Sequence, residues 1–402
     1  MRPAIIVSSH TAGLAVIRAL GREGVPVVSA YYDTRDMGYV SKYVSERVVV
    51  PHPERHEEQF IRTLIDSQSR FGRALLIPAD DASLLVVSRH KVRLADYFLV
   101  ACTDYDITQR YIDKKHTYAL ASALGIQAPR TWLPATLDEL DALAAVMDYP
   151  CLVKPCQSHR YYELFRCKLV KAEDAATLKH AYCQARAAGL EMMVQELIPG
   201  DDTQGVNYNS YMWDGEPLVE FTAAKVRLDP PAFGVPSVVV SRKVPEVIEP
   251  ARRLLNGLGY HGFSCMEFKL DRRDGSYKLM ELNGRHNRSA LLAVHCGINF
   301  PWLEYRHLVH GERPGGTEFR QGVYWIDEFR DLNRMRADMG RGCFSLTGSL
   351  APYLGQHVFA VLDSGDSRPF RKHCTDLAQQ VWQRVLHRQV PDPVGKGHSY
   401  EK

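Results

Sequence analysis

Residues 278–289 read KLMELNGRHNRS, and Glu281, Asn283 and Arg285 in this stretch are spaced two apart. In a β-strand that spacing sets an acid, an amide and a cation on one face. A second acid, Glu267, lies in the preceding strand-like run 263–270, and a DRRDG turn joins that run to strand 276–283. Folding the hairpin about residue 273 brings Glu267 opposite residues 279 to 281. Two carboxylates that close repel, and one is pushed toward protonation unless a cation intervenes. Magnesium favours oxygen ligands, and Glu267, Glu281 and the amide oxygen of Asn283 supply three. Arg285, next along the face, would hold an anion beside the metal. The plainer reading of the same residues is a solvated hairpin face.

The elements that must position these groups fall into three parts. In residues 1–112, AIIVSS reads as a buried strand and GLAVIRALGREG as a helix closed by Gly24. VPVVSAYY, ERVVVP, ALLIP and DYFLVA are further strand-like runs, with helix-like stretches near 54–70 and 80–93. This alternation predicts a parallel sheet covered on both faces. The turn after the first strand, SSHTAG, lacks the glycines of a dinucleotide fingerprint, so a domain that shapes a substrate pocket is expected instead.

Residues 113–310 begin with a helix from Asp113 to Gly125, and TLDE at 136–139 is a capping box opening another. The strand PCLVKP carries Lys154, a cation that an apolar strand tolerates only with a partner or at an end reaching water. FRCKLV is strand-like, a helix follows over 174–188, and MMVQELIPG is a strand entering a turn. VNYNSYMWDGEPLVEFTAAKV reads as a hairpin turning at Asp214-Gly215, and a helix near 246–258 precedes the acidic hairpin. Residues 311–402 mix aromatic, basic and helical segments, and VPDPVGKGHSYEK at the end reads as loose.

Composition excludes several classes. A net charge of +3 gives no case for nucleic acid or an acidic membrane. No apolar run reaches the roughly 18–20 residues that span a bilayer. The first residues, MRPAIIVSSHTAG, look like a strand and not a secretory signal. Nine cysteines without a CxxC pair read as reduced thiols, as in a cytoplasmic protein.

Four segments in order, IDKKHTYALASALGIQAP (112–129), YPCLVKP (149–155), VQELIPGDD (194–202) and MEF…MELNGR (266–285), resemble the ATP-grasp enzymes, whose magnesium strand ends E-x-N-x-R. The likeness covers most of 1–310. It is nearest to the carboxylate–amine ligases, a subgroup that includes D-aspartate ligase-like proteins, through QELIPGDD, AAKVRLDPP and GDSRPF. It implies an α/β ATP-grasp fold preceded by an N-terminal Rossmann-like domain. The boundaries would be 1–112, then 113–310 with a nucleotide subdomain to about 200 and a metal subdomain from 201, then an extension 311–402.

The resemblance also implies roles. Lys114 and Lys154 would hold ATP phosphates. Gln195, Glu196 and Ile198 would pair with adenine through their backbone, and Asp202, or its neighbour Asp201, would take the ribose. Glu267, Glu281 and Asn283 would hold magnesium, with manganese as a substitute. Arg227 would contact the transferring phosphoryl group, with Lys225 as a second candidate, and Arg285 would stabilise the acyl phosphate and the oxyanion after it. The implied reaction joins a small carboxylate to an amine, releasing ADP and phosphate, and homodimers are frequent among such enzymes. The alternatives are a nucleotide-binding regulatory protein on the same fold and a phosphotransferase. One departure stands out: CQSHRYYELFRCK, after Lys154, has no glycine, where many relatives carry a glycine-rich phosphate lid. His159, Arg160, Arg166 and Lys168 are either side-chain phosphate contacts or ordinary surface charge. Of His286, His295, His307 and His310, only His286 merits a test.

Overall fold

The computed structural model describes residues 1–316 and 318–388, so the loose stretch expected at 390–402 lies outside the described residues. The N-terminal runs form β1 (Ala4–Val7), β2 (Val27–Tyr31), β3 (Val44–Val49), β4 (Leu75–Pro78) and β5 (Leu99–Val100). They make one parallel sheet in the order β3-β2-β1-β4-β5, packed by α1 (Thr11–Arg22), α2 (Glu57–Phe71), α3 (Asp81–Arg89) and α4 (Lys91–Ala95). All four residues of β1 and of β4 are buried, as strands covered on both faces must be. The chain order reverses between β1 and β4. Such a reversal opens a crevice at the carboxyl ends of the two strands, where ligands of open α/β sheets bind. The turns there carry Ser8–His10 and Ala79–Asp81.

The next helices are α5 (Tyr105–Ile112), α6 (Lys114–Ala123), α7 (Leu137–Val146), α8 (Ser158–Phe165) and α9 (Ala175–Ala187). Thr136 caps α7 by accepting from the Glu139 amide, as the capping box predicts. β6 (Thr131–Trp132), β7 (Cys151–Pro155), β8 (Val170–Ala172) and β9 (Met192–Glu196) form an antiparallel sheet in the order β6-β9-β7-β8. The strand expected at FRCKLV is mostly absent: the rings of Tyr161 and Phe165, four apart, meet at 4.7 Å, tilted by 32°, on one side of α8, and only Val170 from that run joins β8.

A seven-stranded sheet, in the order β14-β13-β10-β11-β12-β15-β16, is the centre of the molecule. Its strands are β10 (Gly205–Trp213), β11 (Glu216–Asp229), β12 (Val235–Ser241), β13 (Gly262–Asp271), β14 (Ser276–Asn283), β15 (Tyr324–Ile326) and β16 (His357–Phe359). Asp214 and Gly215 both have positive φ, the geometry of a two-residue hairpin turn. One face, through Tyr208, Met266 and Leu279, packs on α10 (Ile248–Leu258). The other, through Phe221, Cys265 and Trp325, packs on α11 (Ala290–His295) and α1.

The acidic hairpin carries a bulge that decides its chemistry. Phe268 faces Leu279, so an unbroken register would set Glu267 against Met280 and turn Glu281 to the opposite face. One extra residue at that point sets Glu281 directly across from Glu267.

Residues beyond 310 are not an appendage. After α12 (Phe300–His310), β15 pairs with β12, and α13 (Glu328–Gly340), α14 (Leu346–Leu354) and α15 (Arg368–Arg388) follow. Near the chain's end, Asp366 pairs with Arg18 of α1, and both side chains are fully buried. Arg18 also donates to the carbonyls of Ala360, Val361 and Asp366. Among the described residues no helix is long and apolar enough to cross a membrane. All nine cysteines are free thiols.

Candidate active site

The central sheet face that carries Glu267 and Glu281 looks toward the sheet of β7 and β9. Asp113 caps α6 by accepting from the Lys115 amide, and the Lys114 amide donates to the Cys156 carbonyl at 3.0 Å. These bonds fix Lys114 beside the end of β7. Its Nζ lies 2.7 Å from Glu281 Oε1 and 2.5 Å from Ser158 Oγ, at the start of α8. Burial opposes the charge on Lys114, but Glu281 holds its ammonium above the ordinary value. Across the site Lys225 Nζ lies 2.5 Å from Glu267 Oε2. Burial opposes ionisation of Glu267 too, and Lys225 holds its carboxyl below the usual range.

Lys154 is buried without a carboxylate partner. Its Nζ meets Gln195 Oε1 at 3.0 Å and Tyr118 Oη at 3.3 Å. Burial, with Lys114 nearby, brings its pKa down to about 7.

The carboxylates expected to repel are thus each neutralised by a lysine. Asn283 pairs in register with Cys265, two positions along, and its Oδ1 lies 3.4 Å from Arg285. Asn207 of β10 stands opposite Glu267, is buried, and its Oδ1 has no hydrogen-bond partner. Among the described residues no three His, Cys, Asp or Glu side chains gather as a metal site. A divalent ion would therefore draw on Glu267, Glu281 and the amide oxygens of Asn283 and Asn207, a hard-oxygen set that suits magnesium. The orphaned Asn207 oxygen favours that fit.

Arg285 leaves the strand through Gly284, where a Cβ would collide with the Tyr111 hydroxyl. Its guanidinium grips Asp81 at 2.6 and 3.0 Å, at the start of α3. This ties the acidic hairpin to the crevice of the N-terminal sheet. His10 lies in the same crevice beside Asp80, Arg288, Arg285 and Asp81, and burial pulls its pKa down to about 4. His10 Nδ1 accepts from the Ala12 amide, so a neutral ring carries its proton on Nε2.

Two expected site residues do not join this group. Arg227 grips Asp331 of α13 at 2.8 and 2.7 Å and donates to the carbonyls of Gly348 and Ser349. The cause is bulging of β11 on either side of Arg227, where the chain meets the extension. Asp202 accepts from the Leu228 and Ala232 amides and pairs with Arg334 at 2.5 Å. Its neighbour Asp201 caps Thr203. At the hinge, Gln195 also donates to Thr131, Glu196 is held by Arg130 at 2.7 Å, and the carbonyl of buried Ile198 accepts from Lys269.

The glycine-free stretch is α8, which brings Ser158 to Lys114. Arg166 ends that helix in the left-handed conformation, Lys168 donates to the Gly234 carbonyl, and Arg160 pairs with Glu54. The side chain of His159 lies outside the described residues. His286 is buried against Glu304 at 3.1 Å and stacked on Phe263, a packing role. His307 meets the Tyr211 hydroxyl, His310 packs on Tyr305 and His295 bonds the Leu291 carbonyl.

Sequence reasoning missed Asn207, Arg288, His10 and Asp81. A signal for the first was present: NYNSY places Asn207 and Asn209 on alternate positions of a strand whose other face is apolar.

No known family profile matches the chain. A D-aspartate ligase of Enterococcus faecium is 27% identical over 264 residues, which is 60% of this chain and 61% of that protein. The chain therefore spans less than two thirds of that relative. Among solved structures, the L-amino acid ligase of Bacillus licheniformis matches with a TM-score of 0.60 and 17% identity, over 78% of each chain. The biotin carboxylase domain of the Hydrogenobacter thermophilus 2-oxoglutarate carboxylase, solved with magnesium-ADP, ADP and bicarbonate, matches with a TM-score of 0.63 and 15% identity, over 80% of this chain and 73% of that one. The fold is that of the ATP-grasp proteins, and in sequence the chain is similar to a D-aspartate ligase.

Proposed function

We propose that the protein is an ATP-dependent carboxylate–amine ligase that forms an amide through an acyl phosphate and releases ADP and phosphate. The observation that carries this reading is the bulged hairpin that sets Glu267 across from Glu281, with Lys114 and Lys225 on the two carboxylates. A purely structural hairpin has no use for two facing acids on a half-buried surface.

Lys154 and Lys114 hold ATP phosphates, and the backbone from Gln195 to Ile198 holds adenine. Magnesium, or manganese in its place, is held by Glu267, Glu281 and Asn283 with Asn207 nearby, and when bound it offsets charge on the transferring phosphoryl group. Lys114 and Lys225 each exchange a carboxylate for a phosphate oxygen when nucleotide binds. Arg285 orients the reacting carboxylate and stabilises the oxyanion that follows. A carboxylate oxygen bonds to the γ-phosphorus as the bond from that phosphorus to ADP breaks. The amine nitrogen then attacks the acyl carbon, phosphate leaves with the electrons of the C–O bond, and the nitrogen loses a proton. Arg227 and Asp202 take no part in this reading, because backbone carbonyls as well as Asp331 hold the first, and backbone amides as well as Arg334 hold the second. The likeness to a D-aspartate ligase makes an amino-acid carboxylate the first substrate to try.

The test is turnover of a carboxylate panel with ATP, magnesium and hydroxylamine. Each hydroxamate should appear with one ADP and one phosphate. AMP and pyrophosphate would place the chemistry at the α-phosphate and end the proposal. ADP with a stable phosphorylated alcohol would make the protein a phosphotransferase.

A further inference from the structure

Helices are capped at their N-termini by serine, threonine, aspartate or asparagine, and histidine is not among the favoured residues. The first helix nonetheless opens on His10, with Ser8 and Ser9 before it and Thr11 after it. The ring caps α1 through Nδ1, which accepts from the Ala12 amide at 3.0 Å. That bond fixes the proton. A backbone N–H only donates, so Nδ1 must be bare, and an imidazolium, with a proton on each nitrogen, would lose the cap. Burial also opposes charge on the ring and pulls its pKa down to about 4. Nε2 therefore carries a hydrogen, and no hydrogen bond or ion pair among the described residues uses it. Unlike the enclosed His286, the ring is partly exposed. What histidine adds to this cap, and asparagine would not, is the second, outward nitrogen.

The turn that presents the ring is held from several sides. Ser8 has φ +72°, left-handed for a residue with a side chain. A Cβ on Gly13 would lie 2.2 Å from the Ser8 carbonyl oxygen, so only glycine lets α1 start this close to the turn. The Ser9 amide donates to Asp36 Oδ2 at 2.9 Å, and the Ser9 carbonyl accepts from the Gly38 amide at 2.7 Å. Backbone strain of this kind persists where neighbours enforce it, and it gathers at functional sites. The charged groups that face His10 are Asp80 and Asp81 at the start of α3, and Arg285 and Arg288 from the loop after β14. All four already have partners. Asp80 caps α3 through Ser83 and accepts from the Tyr32 hydroxyl, Asp81 holds Arg285, and Asp327 of the extension holds Arg288. The Nε2–H group thus stands unclaimed in the crevice at the switch point between β1 and β4.

We propose that His10, locked by the Ala12 amide with its Nε2–H unpartnered beside Arg285, is a catalytic hydrogen-bond donor to the acyl oxygen of the substrate. The proposal rests on the ligase reading above, in which Arg285 holds the reacting carboxylate. When the amine nitrogen bonds to the acyl carbon, the π electrons of the C=O bond move onto that oxygen, and the hydrogen bond from His10 strengthens. When phosphate leaves, the C=O bond re-forms and the charge goes. His10 keeps its proton throughout, so it acts as a donor and as neither base nor acid. A neutral imidazole suits this work, because it gains strength toward the charged oxygen without first pairing with the ground-state carboxylate as an ion.

Two substitutions separate the cap from the donor. Asparagine places an acceptor where Nδ1 stands and has nothing at the position of Nε2. Glutamine reaches the Nε2 position with an amide N–H and lies outside the favoured caps. The assay uses the full chain with ATP, magnesium, hydroxylamine and the panel carboxylate that releases most ADP. His10→Asn should melt no lower than the wild type, bind ATP equally well in calorimetry, and lose about 100-fold in kcat. His10→Gln should melt lower yet keep kcat within about tenfold of the wild type. The ratio of wild-type to His10→Asn kcat should stay flat between about pH 6 and 8.5, because the ring trades no proton. Activity that follows melting temperature, with His10→Gln the worse of the two, makes His10 a cap alone and overturns the proposal. A ratio that rises with pH reveals a base and overturns it too. Either result leaves the ligase reading standing, since the wild type still releases ADP. A wild type that releases no ADP with any carboxylate overturns the ligase reading, and the donor role falls with it.

Discussion

At Glu267 and Glu281 the cations are lysines; at Asp331 and Asp202 they are arginines. Both groups lie along the same seven-stranded sheet. In the first, each carboxylate faces one point charge, stays about a third open to solvent, and sits among amide groups with an unpaired oxygen. In the second, Asp331 has no exposed surface and also accepts from Ser237 and Tyr353, and the arginine forks reach backbone carbonyls as well. A lysine is a compact charge on a flexible stem that can swing to a new anion. An arginine held by a carboxylate fork and by backbone carbonyls together, as Arg227 is, cannot do so without stranding its partners. The difference teaches how to separate a working cluster from a fastening one: incompleteness marks the first and saturation marks the second.

The sharpest way to break this comparison is Glu281→Gln. We predict a loss of at least about a thousandfold in turnover, on the scale of removing a group that stabilises transition-state charge. The fold should survive with a modest drop in melting temperature, because Lys114 keeps Ser158 as a partner. Wild-type magnesium-dependent turnover in this variant would move the pair into the fastening class.

Asp331→Ala should act in the opposite sense. Leaving Arg227 buried and uncompensated costs about 3–5 kcal/mol, readable by denaturant unfolding. The double change Arg227→Met with Asp331→Leu should recover most of that loss, and the folded fraction should turn over normally. Lost turnover in a stable double variant would return Arg227 to the reaction.

Lys154→Ala should weaken ATP binding by about 10- to 100-fold in calorimetry, the loss expected for one charge-assisted phosphate contact. Lys171→Ala should not, since Lys171 is an exposed residue paired with Glu173. Equal affinities would make Lys154 a lysine that merely fills its strand.

The smallest effect is a pH dependence. Lys154 has a pKa of about 7 in the free protein, and phosphate favours its charged form. Above pH 7 binding must take up a proton, so ATP affinity should fall with rising pH, by at most about tenfold per unit. Lys154→Gln should bind weakly but with a flat profile. A wild-type profile equally flat from pH 6.5 to 8.5 would show that Lys154 stays charged.

What the chain discloses before folding follows the same division. The acidic hairpin was legible because its strands are joined by a four-residue turn, so alternation and a short loop leave few registers. Even there, the bulge that turns Glu281 onto the face of Glu267 has no plain residue signature. Lys154 stands out as a cation inside an apolar strand, whereas Lys114, in the polar run DKKH, is marked only by the resemblance. The pairing of Arg227 and Asp202 was not legible because their partners, Asp331 and Arg334, lie more than a hundred positions later. Nothing local in AAKVRLDPP or PGDD announces a partner from the extension. Arg288 was passed over for a related reason: its meaning comes from a single anchor, Asp327, on a strand end whose place in the sheet the residues 311–402 do not reveal. The helix in place of the FRCKLV strand turned on Tyr161 and Phe165, whose pairing at helical spacing outweighed the strand-like run after them.

Arg18 carries a consequence for synthesis. The first helix leaves the ribosome with a guanidinium on a surface that is otherwise destined for burial, and its carboxylate is made 348 residues later. Until Asp366 and the carbonyls of Ala360 and Val361 arrive, that charge must remain hydrated, so α1 cannot reach its final seat. The opening domain thus waits on the closing segment, a contact of the longest kind for folding speed. A stop codon before residue 360 would be felt first at the opposite end of the chain, in the helix beside His10.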